Sequence, residues 1–129
     1  MSLIKKFEDL QAWQEGRKLT LEIYRLTAKG PMSRDFGIRN QIRRASVSAM
    51  SNVAEGFDCE SRVEFARFLG IARRSAVEVQ SLLYVALDAG YIAQEKFRAL
   101  YEQGAKTKGL IGGLRRAVVR PGSRVKRET

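Results

Sequence analysis

The sequence predicts an all-α protein, an up-down-up-down four-helix bundle, and three observations lead to that prediction. Apolar residues recur at three- and four-residue spacing over four long segments. No segment alternates apolar and polar residues as a half-buried strand would, and glycine or proline separates the segments. With 129 residues, 44% of them hydrophobic, the chain can build one domain with its own core. We expect the bundle to occupy residues 1–120 and a short basic tail to occupy residues 121–129.

The first helix is predicted to begin at Phe7-Glu8-Asp9, because acidic residues stabilise the positive N-terminal end of a helix. Gly30-Pro31 is predicted to end it. Its apolar residues follow helical periodicity, which predicts one face turned toward a core. These residues are Leu10, Trp13, Leu19, Leu21, Ile23, Tyr24 and Leu26.

The second helix contains the stretch QIRRASVSAMSNVAEGF at 41–57, which we interpret as the tightly packed centre of the bundle. Small residues dominate one of its faces and allow a neighbouring helix to approach closely. We expect Ser33 to cap this helix at its start. The helix would run to about Glu55, where Gly56 would terminate it in a left-handed conformation.

Asn52 and Glu55 stand three residues apart and therefore on one side of the second helix. We interpret both as structural polar residues: Asn52 would bond the backbone of a neighbouring helix, and Glu55 would pair with a cation. A buried carboxylate without a partner is costly, so Arg17, Arg43 or Arg73 should lie close to Glu55. A ligand-binding role for the pair is the alternative.

The third helix is predicted to open with a capping box, in which the Ser61 hydroxyl accepts from the Glu64 amide and the Glu64 carboxylate reaches back to the cap. Gly90 would end it, and the fourth helix would begin near Ala93 or Gln94. Three glycines fall within Gly109–Gly113, although each costs about 1 kcal/mol relative to alanine inside a helix. Either another backbone approaches there, or the helix frays and ends early.

The charge balance favours a polyanionic partner. The chain carries 24 Lys plus Arg against 14 Asp plus Glu, a formal net charge of +10, and such a domain attracts polyanions. Nucleic acid is the first candidate and anionic membrane the second, while a basic protein without such a partner is the plain alternative. No apolar run is long enough to span a bilayer, and the N-terminus lacks the apolar core of a signal peptide. We therefore expect a cytoplasmic protein without a membrane partner.

The residue inventory argues against enzymatic chemistry. Histidine is absent and Cys59 is the single cysteine. The chain therefore lacks the commonest general base and the commonest metal ligand, and it cannot form an internal disulfide. No glycine-rich phosphate loop follows a strand, and the paired carboxylates all have structural explanations. We expect no catalytic residues, no metal and no cofactor.

The candidate nucleic-acid-binding residues are cations between which acidic residues do not interleave at salt-bridge spacing. Helical spacing places several of them on common faces, although an ordinary solvated helix surface is the alternative. No recognition-helix motif or base-stacking signature is present, so binding should be mostly to the phosphate backbone and should depend strongly on salt. The predicted set is Arg39, Arg43, Arg44, Arg67, Arg74, Lys108, Arg115, Arg116, Arg120, Arg124, Lys126 and Arg127.

Five motifs resemble a known family. They are FEDLQAWQ at 7–14, QIRRASVS at 41–48, SNVAEGF at 51–57, EFARFLGIA at 64–72 and LDAGYI at 87–92. In order and spacing they resemble the small four-helix bundle protein family. Its members include proteins encoded by intervening sequences in large-subunit ribosomal RNA genes and accessory variability proteins of diversity-generating retroelements. Arg43 and Arg44 match the family's arginine pair, and Met50 stands where family motifs often have proline, so a kink expected there should be weaker.

The resemblance implies a homo-oligomer, commonly a five-subunit barrel with a basic surface and no catalytic activity. In the retroelement members that barrel binds nucleic acid and a reverse transcriptase. We therefore expect a non-enzymatic accessory protein of a diversity-generating retroelement that binds a reverse transcriptase and its template RNA or DNA. The alternatives are a scaffold for an acidic protein partner and a bundle protein of unknown role encoded within a ribosomal RNA gene.

Overall fold

The computed structural model describes residues 4–122, and its regular elements are helical, which confirms the predicted fold class. Four long helices and one short helix follow a single 3-10 turn. The elements are the 3-10 turn Phe7–Asp9, α1 Gln11–Thr27, α2 Gly30–Arg34, α3 Phe36–Asp58, α4 Arg62–Asp88 and α5 Gln94–Val119.

Side-chain contacts show that α1 and α3 run antiparallel. Gly16 lies against Met50 near the start of α1, whereas Thr27 at its end accepts a hydrogen bond from Arg43. Residue numbers therefore rise along α1 as they fall along α3.

The helix pairs α3–α4 and α4–α5 are also antiparallel. Between α3 and α4, Gln41 bonds Glu78 at one end and Gly56 lies against Phe68 at the other. Between α4 and α5, Tyr84 packs on Phe97, and Ala66 accepts from Arg115. The bundle is thus up-down-up-down with α1 also packed on α5, which places the α1–α3 face opposite the α4–α5 face. Only one chain is described, so the pentameric barrel stays a prediction.

The core consists of two apolar clusters stacked along the bundle axis. The first contains Leu19, Ile23, Met32, Ile38, Ile42, Ala45, Val79, Leu83, Ala86, Ile92, Phe97 and Leu100. The second contains Leu10, Ala12, Val53, Phe57, Phe65, Ala66, Leu69, Ala72, Ile111 and Val118. Several buried polar residues also contribute to the interior, namely Glu15, Thr27, Ser46, Ser75, Gln80 and Thr107.

Two predicted helix starts are wrong. Phe7–Asp9 forms a separate 3-10 turn, because Leu10 is extended (φ −78°, ψ 124°) and interrupts the helical path before α1. Asp35, and not Ser33, caps α3: its carboxylate accepts from the Ile38 amide at 3.4 Å. Ser33 belongs to the short helix α2, where its hydroxyl donates to the Gly30 carbonyl at 2.6 Å.

The Asp35 cap is tied to the turn between α4 and α5. The Tyr91 hydroxyl donates to its Oδ2 at 2.8 Å. This hydrogen bond and those from the backbone amides of Ile38 and Gly37 lower the pKa of Asp35, and the same carboxylate raises the pKa of Tyr91. The cap therefore remains ionised to lower pH than an ordinary aspartate.

Gly56 does not terminate α3, which continues to Asp58. A Cβ at Gly56 would lie only 2.8 Å from the Phe68 Cβ and 3.0 Å from a ring carbon of Phe65. Glycine is therefore required there by the close approach of α4 and not by a left-handed conformation. The prediction that small residues in this stretch allow tight packing is confirmed at this position.

The predicted signals at the two ends of α4 are confirmed in large part. The Ser61 hydroxyl accepts from the Glu64 amide at 3.1 Å, and Gly90 adopts φ +76° just after the helix. The Tyr91 amide then bonds the Ala86 carbonyl at 2.9 Å, as in a Schellman ending. Glu64 departs from the capping box, because its carboxylate binds Arg67 instead of reaching back to the cap.

Candidate nucleic-acid interface

Four arginine side chains from α4 and α5 gather over glycine positions on the α4–α5 face. A Cβ at Gly70 would lie 3.6 Å from Arg115 Nε and 3.7 Å from Arg74 Nη1. A Cβ at Gly112 would lie 3.5 Å from both Arg73 Nε and Arg116 Nη1. We call Arg73, Arg74, Arg115 and Arg116 the arginine cluster.

A Cβ at Gly112 or Gly113 would make only ordinary van der Waals contacts with arginine side chains, so these contacts do not require glycine in this part of α5. The helix continues to Val119, so the prediction that it frays at Gly109–Gly113 is wrong. The groups that approach are also not another backbone: they are guanidinium groups beside Gly112 and, at 3.7 Å, Arg116 Nη2 beside Gly113. Gly109 faces open space, and nothing in the structure explains that glycine.

The arginine cluster carries positive charge without matching carboxylates. Within residues 4–122, no member forms an ion pair. Arg115 Nε donates to the Ala66 carbonyl at 3.2 Å, whereas the other three guanidinium groups have no hydrogen-bond partner in that range. The sequence between 103 and 122 contains no acidic residue. Four like charges on one face of the bundle attract an anion.

Arg62, Arg67 and Lys108 are further cations on α4 and α5. Arg67 is partly neutralised, because its Nε lies 2.9 Å from Glu64 Oε2. Arg62 donates to the Arg120 carbonyl at 2.9 Å and so fixes the end of α5 beside the start of α4. Lys108 precedes Arg115 by seven residues, two helical turns on the same side of α5.

The predicted arginines of α3 do not join this cluster. Arg43 donates to Thr27 Oγ1 at 2.6 Å and lies over the Tyr24 ring at 4.4 Å, toward α1. Arg39 donates to the Ser33 carbonyl at 3.0 Å and covers the Phe36 ring. Both side chains are held by contacts within the bundle, and a role for them in binding stays a prediction.

Arg44 is exposed and lines a polar groove between α3 and α4. The last three predicted cations, Arg124, Lys126 and Arg127, lie outside the described residues. The predicted set omits Arg73 and Arg62. The seven-residue spacing that selects Arg67 and Arg74 could not select them, because their roles depend on the register between α4 and α5.

The predicted roles of Asn52 and Glu55 need correction. Asn52 donates to the carbonyl and hydroxyl oxygens of Ser48, both at 2.9 Å, within its own helix. The link to α4 passes instead through the Ser48 and Ser75 hydroxyls, 2.8 Å apart. Glu55 is exposed and forms no ion pair with a described residue, because Gly56 occupies the position facing α4. The predicted burial and cation pairing of Glu55 are therefore wrong.

Glu15 is a buried charge that the sequence pattern did not reveal. Its side chain accepts from Gln103 Nε2 at 3.0 Å and lies 3.0 Å from Lys18 Nζ and 3.4 Å from Lys106 Nζ. The hydrogen bond from Gln103, followed by the lysines, lowers the pKa of Glu15 against the opposing effect of burial. These contacts join α1 to α5 in the middle of the bundle.

The α1–α3 face, opposite the arginine cluster, carries an open apolar groove of about 800 Å³. Leu21 at 49% exposure and Tyr24 at 40% exposure lie along it. The groove is also lined by Trp13, Gln14, Arg17, Lys18, Thr20, Val47 and Met50.

Residues 4–122 contain neither a candidate membrane span nor a candidate metal-binding group. Over residues 4–122, no helix has both the length and the apolar character that a membrane crossing requires. The same part of the chain brings together no group of three or more cysteine or acidic side chains suited to a metal ion.

Comparison with known proteins yields one family and a similar fold. A family model described as "23S rRNA-intervening sequence protein" matches residues 8–113. A crystal structure from Bacteroides thetaiotaomicron VPI-5482, described as a protein with unknown function from the S23 ribosomal protein family, has a TM-score of 0.76 and 20% identity. The match covers 81% of this chain and 95% of that chain, and at this identity it shows the fold alone. No curated protein matches the chain.

Proposed function

The chain belongs to the 23S rRNA-intervening sequence protein family, and from that premise we propose that it is a non-enzymatic nucleic-acid-binding protein whose arginine cluster contacts the phosphate backbone. The observation that carries the proposal is the arginine cluster itself: four guanidinium groups over Gly70 and Gly112 without a carboxylate partner in residues 4–122.

The chemistry of the guanidinium group supports this role. It stays protonated at any physiological pH, and its planar N–H donors match the oxygens of a phosphate. In Arg73, Arg74 and Arg116 those donors have no partner among residues 4–122, so a phosphate would not have to displace an existing bond. Neutralising several phosphates releases condensed counterions, which makes the affinity fall steeply with salt.

The proposal is tested by removing two guanidinium groups that make no hydrogen bond in the described range. The variant Arg74→Ala/Arg116→Ala is compared with Lys29→Ala/Arg34→Ala, which removes the same charge near α2 at the other end of the bundle. We expect the cluster variant to lose roughly 10-fold or more in affinity for nucleic acid at low salt, and the control to lose much less. Equal losses, or no binding by the unaltered protein, would contradict the proposal. Capture of an acidic protein without nucleic-acid affinity would favour the scaffold alternative.

Two biological roles are compatible with nucleic-acid binding, and they differ in the partners of the protein. The motif resemblance supports an accessory protein of a diversity-generating retroelement that binds a reverse transcriptase and its template. The family description, however, refers to ribosomal RNA and does not mention a retroelement, which favours the second candidate, a bundle protein encoded within a ribosomal RNA gene. Genomic neighbourhood separates them: a reverse-transcriptase gene with a template repeat supports the first, and a surrounding ribosomal RNA operon supports the second.

We also propose that the protein forms a homo-oligomer, with five subunits as the resemblance implies. The exposed apolar groove of the α1–α3 face supports this part of the proposal, because burying Leu21 and Tyr24 against a second copy would remove apolar surface from water. Association through this face would leave the arginine cluster accessible. Light scattering tests the proposal, and a strict monomer at micromolar concentration would contradict it.

A further inference from the structure

Three aromatic rings lie on the same two helices as the arginine cluster, toward their other end. The Tyr84 ring centroid is 4.8 Å from that of Phe97 and 5.8 Å from that of Tyr101, and the Phe97 and Tyr101 centroids are 5.5 Å apart. We call these three residues the aromatic cluster. Phe97 is buried in the core, whereas Tyr84 is 50% exposed, and its hydroxyl bonds no described residue.

The two clusters share one face of the bundle. Arg73 and Tyr84 are eleven residues apart on α4, three helical turns or about 16 Å. On α5, Lys108 stands seven residues after Tyr101 and seven before Arg115, so these three lie on one side of that helix. A nucleic-acid strand lying along the α4–α5 face would therefore pass from the arginines, past Lys108, to the exposed ring of Tyr84.

This combination discriminates between forms of nucleic acid. A duplex offers phosphates but keeps its bases stacked inside, whereas a single strand offers phosphates and unpaired bases together. Proteins that bind single strands join a cationic track to aromatic side chains on which bases stack, and every base has a face that can stack. The arginine cluster supplies the cations, and Tyr84, which packs on Phe97 and Tyr101 but is still 50% exposed, supplies accessible ring surface.

We propose that the α4–α5 face binds a single-stranded segment, with its phosphates at the arginine cluster and an unpaired base stacked on Tyr84. This inference rests on the proposed nucleic-acid binding and specifies the form of nucleic acid that is bound. The aromatic rings of the opposite face are less suited to it, because Arg17 already lies over Trp13 at 5.7 Å and Arg43 over Tyr24 at 4.4 Å.

The test uses the full chain and two probes of one sequence, a single-stranded oligonucleotide of about ten nucleotides and its duplex, within the site sizes common for single-strand binders. Tyr84→Leu removes the ring, and Tyr84→Phe keeps it. Phe36→Leu is the matched control, because Phe36 is 63% exposed at the start of α3, on neither α4 nor α5. Fluorescence anisotropy gives each affinity, and thermal melting confirms that each variant is folded.

We expect the unaltered protein to prefer the single strand. Tyr84→Leu should weaken single-strand binding roughly 5-fold or more with little effect on the duplex, and Tyr84→Phe and Phe36→Leu should both bind as the unaltered protein does. If salt-dependent binding persists but Tyr84→Leu matches Phe36→Leu, the inference is wrong and the proposed function survives. If neither probe binds at low salt, both are wrong. A loss of protein capture without a loss of single-strand affinity would assign the aromatic cluster to a protein partner and overturn the inference.

Discussion

Glu15 keeps its negative charge in the interior of the bundle because three donors surround its carboxylate. It is only 7% exposed, and Gln103 supplies the hydrogen bond that does most to lower its pKa. The two lysines contribute less, since their side chains are 63% and 61% exposed and solvent screens their attraction. The residue therefore links stability to pH through one well-defined contact between α1 and α5.

Replacing Glu15 with glutamine should change how stability depends on pH. A lowered folded-state pKa means that the carboxylate stabilises the fold above its ordinary pKa of about 4.3, and that this contribution is lost as the pH falls through the folded pKa. We expect Glu15→Gln to be about 1 kcal/mol less stable at about pH 7, and this difference to shrink as the pH is lowered toward about 3. Urea unfolding at both pH values measures this. An equal difference at both would show that the charge is not involved.

Two glycine-to-alanine changes should have opposite effects. At Gly56 a Cβ would lie 2.8 Å from the Phe68 Cβ, closer than real Cβ contacts, so Gly56→Ala should destabilise the protein by about 1–3 kcal/mol through overpacking. At Gly109 a Cβ would meet nothing within 4 Å. Gly109→Ala should therefore stabilise the helix by about 0.5–1 kcal/mol. Chemical denaturation measures both, and shifts of the same sign would contradict the packing described for α3 and α4.

The roles of Gly56 and Glu15 could not be predicted from the sequence, because each depends on residues of another helix. The position of Gly56 at the end of a helical pattern indicates that glycine is needed there. It does not tell whether the reason is a left-handed helix end or the close approach of another helix, because both favour glycine. The contacts of Gly56 with Phe65 and Phe68 on α4 show that close approach is the reason. The burial of Glu15 has no signal in the sequence, because its stabilising partner Gln103 lies on α5.

At the level of whole elements, the arginine cluster forms because α4 and α5 pack side by side. Neither α4 nor α5 alone holds the four guanidinium groups: Arg73 and Arg74 come from one helix, and Arg115 and Arg116 come from the other. The sequence predicted Arg74, Arg115 and Arg116 from spacing and charge asymmetry. It also grouped Arg39 and Arg43 with them, although Arg43 contacts Tyr24 and Thr27 of α1. Arg39 instead contacts Ser33 of α2.

Inorganic phosphate should stabilise the bundle through the arginine cluster. An anion that binds the folded state alone raises its melting temperature by mass action, and the cluster has unused N–H donors within residues 4–122. We expect phosphate to raise the melting temperature more than chloride at equal ionic strength. That difference should shrink in Arg74→Ala/Arg116→Ala and persist in Lys29→Ala/Arg34→Ala. A phosphate effect of equal size in both variants would place the anion elsewhere.

Helix existence was predictable and some helix boundaries were not. Four sustained apolar stripes are strong signals, and the Ser61 cap and Gly90 were identified correctly. The start of α3 was misplaced because Gly30–Arg34 forms an additional short helix. Asp35 caps α3 and is held by Tyr91, a residue that only the folded chain brings close.

Across the whole molecule, the two opposite faces differ in character. The α1–α3 face carries an apolar groove in which Arg17 contacts Trp13 and Lys18 contacts Glu15. The α4–α5 face carries the arginine cluster, whose members pair with no carboxylate of the described range. The net charge of +10 predicted a polyanion as partner but did not indicate which face of the bundle would bind it. The division arises because consecutive antiparallel helices place α3 beside α1 and α5 beside α4.

The most direct test of a phosphate-binding arginine cluster is the salt dependence of nucleic-acid affinity in the unaltered protein and the two charge-matched variants. Each lost phosphate contact reduces the slope of log affinity against log salt by roughly 0.7–0.9. We predict that Arg74→Ala/Arg116→Ala lowers the slope by roughly 1.5, the sum of two contacts, and that Lys29→Ala/Arg34→Ala leaves it nearly unchanged. Equal slopes in the two variants, or an affinity that does not respond to salt, would contradict the central claim.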